Sequence, residues 1–258
     1  MAPDPGTNLH EHIEQWVRPR AAGNGRPPIL MISGAQGIGK STALHKLESL
    51  DNLQVAVIGL DDVYHTRQTR LELSRSIHPL CETRGPPGTH DLPLLLDTIR
   101  QLLDSDTNTA TQMPKFDKRI DDRAPKSDWV IFNGRPDAIL IEGWLMGVNP
   151  DPASAGEPPL NRLEATQDPG GEWRAWQELE LQSDYCALWD RADGFLHLDA
   201  PSFDVVLSWR IQQEETTLGL AAGTLPQARA DWVANFVEHF ERLTRRMLNG
   251  NRRDGRVI

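Results

Sequence analysis

Hydrophobic positions along the chain fall into two kinds of pattern. Short runs that are almost wholly apolar are typical of buried parallel strands, and they cover residues 28–33, 54–60, 138–141 and 195–198. Apolar residues at three- and four-residue spacing predict helices, and they cover residues 41–50, 91–102, 202–216 and 227–248. The order of these runs indicates a parallel sheet with helices on both of its faces.

Other segments depart from this alternation. Leu9, Ile13, Trp16 and Val17 lie at helical spacing, so we interpret residues 1–27 as a helical extension. Residues 67–90 are rich in Arg, Pro, Gly and His, which predicts a loop with one short helix. Residues 149–172 are dense in Pro, Gly and acidic residues, and we place an insert that leaves the sheet at about residues 149–190. We find no internal repeat and expect residues 1–258 to form a single domain.

Composition limits the classes of partner. The chain has 258 residues and a net charge of −10, which argues against nucleic acid or an anionic membrane as the main partner. Its two cysteines, Cys81 and Cys186, favour a reducing compartment and no disulfide framework. The first thirty residues lack the apolar core of a signal peptide, and no run reaches membrane-spanning length. We therefore expect a cytoplasmic protein, and the sequence sets no oligomeric state.

A glycine-rich segment separates the first predicted strand from the helix that follows it. It reads Gly34, Ala35, Gln36, Gly37, Ile38, Gly39, Lys40, Ser41 and Thr42. This is a G-x-x-x-x-G-K-[ST] phosphate loop, whose backbone N–H groups surround phosphate oxygens. We expect Lys40 to reach the β- and γ-phosphates and the Ser41 hydroxyl to bind Mg²⁺. The loop and its flanks predict an α/β fold of the P-loop NTPase type, with three layers (α/β/α) and a mostly parallel central sheet.

Acidic residues follow two of the predicted strands. Asp61 and Asp62 come after the second strand, and Glu142 comes after the third. Open parallel sheets bind ligands at the carboxyl ends of their strands. Phosphoryl transfer uses one carboxylate to orient and deprotonate the attacking hydroxyl and another to hold Mg²⁺. The sequence supplies candidates for both roles, although an Asp-Asp pair can also simply begin a turn.

Five further segments resemble a known family together with the phosphate loop. They are Asp61-Asp62-Val63-Tyr64, Arg84-Gly85-Pro86-Pro87-Gly88-Thr89-His90-Asp91, Pro114-Lys115-Phe116-Asp117-Lys118 with Asp122-Arg123-Ala124, Ile141-Glu142-Gly143-Trp144 and Trp209-Arg210-Ile211-Gln212. In this order they resemble the D-glycerate 3-kinases of the plant type and their bacterial and fungal relatives, within the phosphoribulokinase/uridine kinase superfamily. The resemblance spans about residues 29–246. Val63 departs from it, because the family has an aromatic residue there.

The resemblance implies a kinase that uses ATP and Mg²⁺ and phosphorylates a hydroxyl of a small organic acid. D-glycerate, giving 3-phosphoglycerate, is the leading acceptor. By position, Asp61 matches the general base, and Arg210 lies on a helix of a lid that covers the transferring phosphate. With Lys40 these form the expected catalytic set. Ser41, Glu142 and Asp61 form the expected metal set.

Acceptor binding is predicted from the same resemblance. Arg84 lies in a glycine-flanked loop and suits a carboxylate, because a guanidinium binds it with two parallel hydrogen bonds. The other candidates for contact with the acceptor are Tyr64, His90, Lys118, Arg123 and Trp144. A loop arginine is otherwise usually solvated, and Asp91 fits a helix cap better than a ligand.

Tryptophans are numerous, but most have an ordinary expected role. Those at helical spacing among apolar residues are predicted to pack in the core; they are Trp16, Trp173, Trp176, Trp189 and Trp232. Trp144 differs because it follows the strand-end Glu142. We expect Trp144 to line the acceptor pocket.

Alternative functions stay open at this level. A regulatory GTPase would need a guanine-reading Asn-Lys-x-Asp segment, and the sequence has none. A non-catalytic nucleotide-binding protein is disfavoured because both Lys40 and Asp61 are retained. Among kinases, the acceptor is alternatively a nucleoside, pantothenate or another hydroxy acid.

Overall fold

A computed structural model describes residues 8–21, 25–48, 50 and 52–258. The strands are β1 (Ile29–Gly34), β2 (Val55–Gly59), β3 (Ala110–Met113), β4 (Phe116–Asp117), β5 (Asp122–Arg123), β6 (Val130–Asn133), β7 (Ala138–Gly143), β8 (Gly194–Leu198) and β9 (Arg256–Val257). The α-helices are α1 (Leu9–Val17), α2 (Lys40–Leu47), α3 (Arg67–Ser76), α4 (Leu92–Leu103), α5 (Arg162–Gln167), α6 (Glu172–Glu180), α7 (Cys186–Trp189), α8 (Asp204–Thr217), α9 (Gln227–Glu238) and α10 (Glu241–Leu248).

Five parallel strands form the central sheet, in the order β2-β7-β1-β8-β9. The four predicted strands are all present, and β9 is a short fifth strand that the sequence pattern did not predict. In the register of the sheet, Glu142 on β7 pairs with Ile32 of β1 on one side and with Gly59 of β2 on the other. The carboxyl ends of these three strands therefore meet at one edge.

Helices cover both faces of this sheet, as predicted. On one face, Ile29 and Met31 of β1 belong to a core cluster with the apolar side of α4. On the other face, Leu30 and Ile32 pack with residues of α1 and α2. Alternate strand residues point to opposite faces, so the apolar residues of one strand contribute to both cores. The three-layer α/β/α architecture is thus confirmed.

The structure corrects several predicted helix boundaries. The helix predicted over residues 41–50 ends at Leu47, and its residue 49 lies outside the described chain. The helix predicted over residues 227–248 is two helices, because the chain breaks between α9 and α10 at His239 and Phe240. Residues 67–90 contain the ten-residue α3 and a 3₁₀ turn at Pro79–Glu82. Asp91 caps α4 as predicted, since its carboxylate accepts from Leu94 N at 3.1 Å.

The two peripheral segments are helical. Within the predicted extension, α1 is described, whereas residues 1–7 and 22–24 lie outside the described chain. The predicted insert contains α5, and then α6 runs into α7 through a π-helical turn at Leu181–Tyr185. Cys81 and Cys186 are free thiols, as expected. The division into one domain with an insert stays a prediction.

Two further findings bear on the surface. Trp232 was predicted in the core but is 43% exposed; it stacks on Phe236 and lies under the guanidinium of Arg229. Among the residues that the structure describes, none of the helices has the length and apolar character needed to cross a bilayer.

Candidate active site

The phosphate loop follows β1 and ends where α2 begins. Gly37 and Gly39 have φ angles of 84° and 95°, which are accessible to glycine and costly for other residues. The Lys40 Nζ atom donates to the carbonyl oxygens of Gly34 at 2.7 Å and Ala35 at 3.3 Å. Burial lowers the pKa of Lys40, partly offset by the negative charges of Glu142 and Asp61. The Lys40 ammonium group therefore folds back onto the loop, and Thr42 is exposed in the first turn of α2.

Ser41 and Glu142 provide hard oxygen donors beside the loop. The Ser41 hydroxyl donates to Glu142 Oε1 at 2.8 Å, and Lys40 Nζ lies 4.0 Å from Glu142 Oε2. Mg²⁺ in nucleotide sites is usually held by one or two carboxylates together with substrate phosphates. A hydroxyl and a carboxylate at this spacing suit that ion, so the residues present fit the predicted metal.

Asp61 lies in the 3₁₀ turn (Leu60–Val63) that follows β2. Its carboxylate accepts from the Tyr64 hydroxyl at 2.6 Å and from Lys118 Nζ at 2.7 Å, and its side chain is 37% exposed. Enclosure by protein would raise the pKa of Asp61, but the charge and hydrogen bond of Lys118, with the bond from Tyr64, lower it well below the ordinary value. Asp61 is therefore a carboxylate throughout the neutral pH range.

Asp62 has the opposite electrostatic environment. Burial raises the pKa of Asp62 to about 6; the hydrogen bond from the Phe116 N–H opposes this rise and the charge of Asp61 adds to it. The Phe116 N–H donates to Asp62 Oδ1 at 3.4 Å. Asp62 thus anchors β4, the first strand of the hairpin that carries Lys118.

The β4–β5 hairpin (residues 116–123) reaches the site at two points. Lys118 pairs with Asp61, and Asp121 pairs with Arg84. Asp121 has a φ of 55°, uncommon for a residue other than glycine, and it also pairs with the buried Arg70 at 3.0 Å. Arg84 was predicted to bind the carboxylate of the acceptor. In the structure, its carboxylate partner is Asp121.

Arg123 has partners of its own in β5. Its Nη2 atom donates to Asp91 Oδ2 at 2.8 Å and to the Tyr64 carbonyl oxygen at 3.0 Å. These bonds tie the hairpin to the segment between β2 and α4, so the visible role of Arg123 is to join two walls of the site.

Residues 84–91 lie alongside the turn that holds Asp61. Tyr64 and His90 form an antiparallel bridge, and their ring centroids are 4.9 Å apart. His90 is 3% exposed. Burial lowers the pKa of His90 to about 3, although the negative charge of Asp61 acts to raise it. The imidazole is therefore neutral at neutral pH. Trp144 supports this segment from the core, because its indole N–H donates to the Gly85 carbonyl oxygen at 3.1 Å.

Arg210 approaches from α8, the predicted lid helix. It pairs with Glu214 at 2.7 Å. Burial lowers the pKa of Arg210, and the charges of Arg84 and Asp61 are near enough to affect it. The same helix touches the phosphate loop, because a Cβ atom at Gly37 would lie 2.6 Å from the Trp209 Cβ.

Comparisons with known proteins find kinases. The chain is 28% identical over 246 residues to the "Uncharacterized kinase mug58" of Schizosaccharomyces pombe, covering 89% of this chain and 84% of that protein. It is 29% identical over 204 residues to the chloroplastic D-glycerate 3-kinase of Arabidopsis thaliana, covering 74% of this chain and 42% of that protein. The chain is a P-loop kinase that is similar to the D-glycerate 3-kinases.

The solved structures support the same fold for this kinase. The D-glycerate 3-kinase of Cryptococcus neoformans superposes with a TM-score of 0.78 at 23% identity, covering 97% of this chain and 93% of that one. No family model matches the chain. The match to the Arabidopsis protein spans less than half of that protein's length.

In this kinase, the structure brings most of the predicted residues to one edge of the sheet. The phosphate loop, Glu142 and Asp61 lie at the carboxyl ends of adjacent strands, and Lys118 reaches Asp61 from the hairpin. Two further residues were missed from the sequence. Asp121 contacts Arg84 from 37 residues away, and Tyr185 contacts His90 from 95 residues away. No local sequence pattern distinguishes Asp121 or Tyr185 from other residues of their type.

Proposed function

We propose that this kinase transfers the γ-phosphoryl group of ATP to a hydroxyl of a small organic acid, and that D-glycerate, giving 3-phosphoglycerate, is its acceptor. One observation carries the choice of an acid. Arg84 holds a carboxylate, that of Asp121, in the same site as Asp61. The guanidinium has five N–H donors, so an acceptor carboxylate can bind it beside Asp121 or in its place.

In the proposed reaction, the acceptor oxygen forms a bond to the γ-phosphorus as the bond from that phosphorus to the β–γ bridging oxygen breaks. ADP leaves, and the hydroxyl proton passes to the Asp61 carboxylate. Phosphoryl transfer depends more on positioning and charge stabilisation than on a strong base. A carboxylate with a lowered pKa suits that need, because it is always ionised and always able to orient the hydroxyl.

Cations around the loop would stabilise the transferring group. Lys40 and Arg210 are assigned to the negative charge on the phosphoryl oxygens. Mg²⁺, when bound, neutralises charge on the β- and γ-phosphates. Ser41 and Glu142 would hold this ion, and Asp61 is the third residue that we assign to it.

The remaining assignments concern the acceptor. We assign its carboxylate to Arg84 and its hydroxyl groups to Tyr64, His90 and Lys118. Arg123 and Trp144 belong to the same pocket in this proposal. We also propose that the kinase acts in the cytoplasm, which fractionation of cells expressing the tagged chain would test.

Coupled ADP release by the purified protein with Mg-ATP tests this proposal. The acceptor panel is D-glycerate, L-glycerate, pantothenate, uridine and ribulose 5-phosphate. Turnover that depends on D-glycerate is the expected result, and phosphorus NMR of the product then identifies the phosphorylated hydroxyl. Turnover of uridine or pantothenate alone would overturn the acceptor, while keeping the role of Asp61 in phosphoryl transfer.

A further inference from the structure

Tyr185, in the predicted insert, is hydrogen-bonded to the acceptor side of the active site. Its hydroxyl oxygen accepts from the Gly88 N–H at 3.0 Å and lies 2.5 Å from His90 Nδ1. Tyr185 is 1% exposed and His90 is 3% exposed. The insert thus contacts His90, which forms a backbone bridge with Tyr64.

Counting donors and acceptors selects one tautomer of His90. If Nδ1 carried the proton, it would donate to Tyr185, leaving both the tyrosine hydrogen and the Nε2 lone pair without described partners. If Nε2 carries the proton, Tyr185 donates to Nδ1 and accepts from Gly88, so that only the Nε2–H lacks a partner. Buried polar groups strongly favour the arrangement with fewer unpaired atoms.

In either tautomer, the ring atom of His90 that lacks a described partner is Nε2. His90 Nε2 is buried, and the described residues offer it no hydrogen-bond partner. The ring lies beside that of Tyr64 at a tilt of 31°, and the Tyr64 hydroxyl donates to Asp61. The Asp61 charge is close enough to affect His90. A buried N–H donor without an acceptor is costly, and next to Asp61 an oxygen of the bound acceptor can satisfy it.

We propose that Tyr185 is a positioning residue, which fixes His90 as a neutral Nε2–H donor to an oxygen of the acceptor. This inference rests on the proposed function, because it assigns the acceptor to the pocket around Asp61. It gives the insert a part in the reaction: Tyr185 ends the π-helical turn between α6 and α7, and such turns are frequent at functional sites.

The loop and the insert are also in close contact near this hydrogen bond. A Cβ atom at Gly88 would lie 2.2 Å from a ring carbon of Trp176 on α6, and Gly88 has a φ of 84°. Only glycine suits both its conformation and its closeness to Trp176. The N–H group that Tyr185 accepts from is therefore held in place by the insert itself.

The first test is a nitrogen NMR measurement of the His90 tautomer in the full chain without acceptor. We expect a protonated Nε2 and an unprotonated Nδ1 in the wild type, and a mixture of tautomers in Tyr185→Phe. A protonated Nδ1 in the wild type would overturn the proposal. Because no acceptor is present, this result stands even if D-glycerate proves to be the wrong substrate.

The second test is kinetic, on whichever acceptor of the panel is turned over. Tyr185→Phe should raise the acceptor KM roughly two- to tenfold, the factor for one neutral hydrogen bond, and leave the ATP KM unchanged. Trp189→Phe is the matched control, since it removes a buried hydrogen bond to the Val148 carbonyl from the same helical segment. If both variants change the acceptor KM equally, Tyr185 has only a structural role.

Substitutions of His90 supply an independent check. A glutamine amide can present an N–H near the position of Nε2, whereas the shorter asparagine presents one near Nδ1. We expect His90→Gln to keep an acceptor KM closer to the wild-type value than His90→Asn does. The reverse order would contradict the assigned tautomer.

Discussion

Lys118 Nζ lies 2.7 Å from Asp61 Oδ2, which pairs the predicted base with a cation 57 residues later in the chain. The pair joins the end of β2 to the β4–β5 hairpin. It forms at the position that an acceptor hydroxyl must approach if Asp61 is to take its proton. Lys118 therefore lowers the pKa of Asp61 and occupies one of its two carboxylate oxygens.

Removing this cation should change the pH dependence of turnover. Lys118 lowers the pKa of Asp61, so in Lys118→Met that pKa rises. The acid limb of the kcat profile should then move to higher pH by about one unit or more, because the carboxylate is protonated sooner as the pH falls. Lys115→Met, an exposed lysine three positions earlier, is the control and should keep the wild-type profile. An unmoved acid limb in Lys118→Met would contradict the coupling.

Asp61→Asn tests the base directly. Asparagine keeps the shape of the side chain but cannot accept a proton or orient the hydroxyl as a carboxylate does. We expect kcat to fall by about 10²- to 10⁴-fold, with the ATP dissociation constant, measured by calorimetry, nearly unchanged. Asp62→Asn is the comparison, since an amide oxygen can still accept from Phe116. A larger loss of kcat in Asp62→Asn than in Asp61→Asn would transfer the role to Asp62.

Arg84→Lys separates acceptor binding from nucleotide binding. Lysine keeps the charge but loses the planar pair of N–H donors that matches a carboxylate. The acceptor KM should rise roughly ten- to a hundredfold, corresponding to a loss of about 1.5–3 kcal/mol for a hydrogen bond to a charged group. Steady-state kinetics should show little change in the ATP KM. Arg75→Lys, at an exposed site on α3, is the control for the substitution. Equal rises of the acceptor KM and the ATP KM in Arg84→Lys would place Arg84 on the nucleotide side.

A buried ion pair fastens the insert to the C-terminal helix. Arg246 on α10 donates to both carboxylate oxygens of Glu178 on α6, at 3.1 and 2.6 Å, and both residues are buried. Glu178→Ala should lower the free energy of unfolding by about 3–5 kcal/mol, because it leaves a buried guanidinium uncompensated. Urea denaturation measures this value.

An exposed pair provides the contrast for that measurement. Asp97 and Arg100 pair on the surface of α4, where water and salt screen the charges and an ion pair contributes little to stability. Asp97→Ala should therefore change the free energy of unfolding far less than Glu178→Ala does. Similar losses in Asp97→Ala and Glu178→Ala would show that the buried pair does not fasten the insert.

The sequence by itself determined the phosphate loop, the four main strands and the acidic residues at the ends of two of them. These features depend on local patterns. A run of apolar residues makes a buried strand wherever the sheet forms, and glycine spacing sets the loop conformation through φ angles that other residues avoid. The cap at Asp91 is local in the same way, because it bonds an N–H three residues ahead.

Only the tertiary structure decided the partners of the site residues. Asp121 pairs with Arg84, Tyr185 with His90 and Lys118 with Asp61, and each pair is separated by many residues along the chain. The break between α9 and α10 and the exposure of Trp232 also differ from the helical pattern. Such features depend on which distant segments pack together, because a side chain's partner and burial are set by neighbours that its own sequence window does not contain.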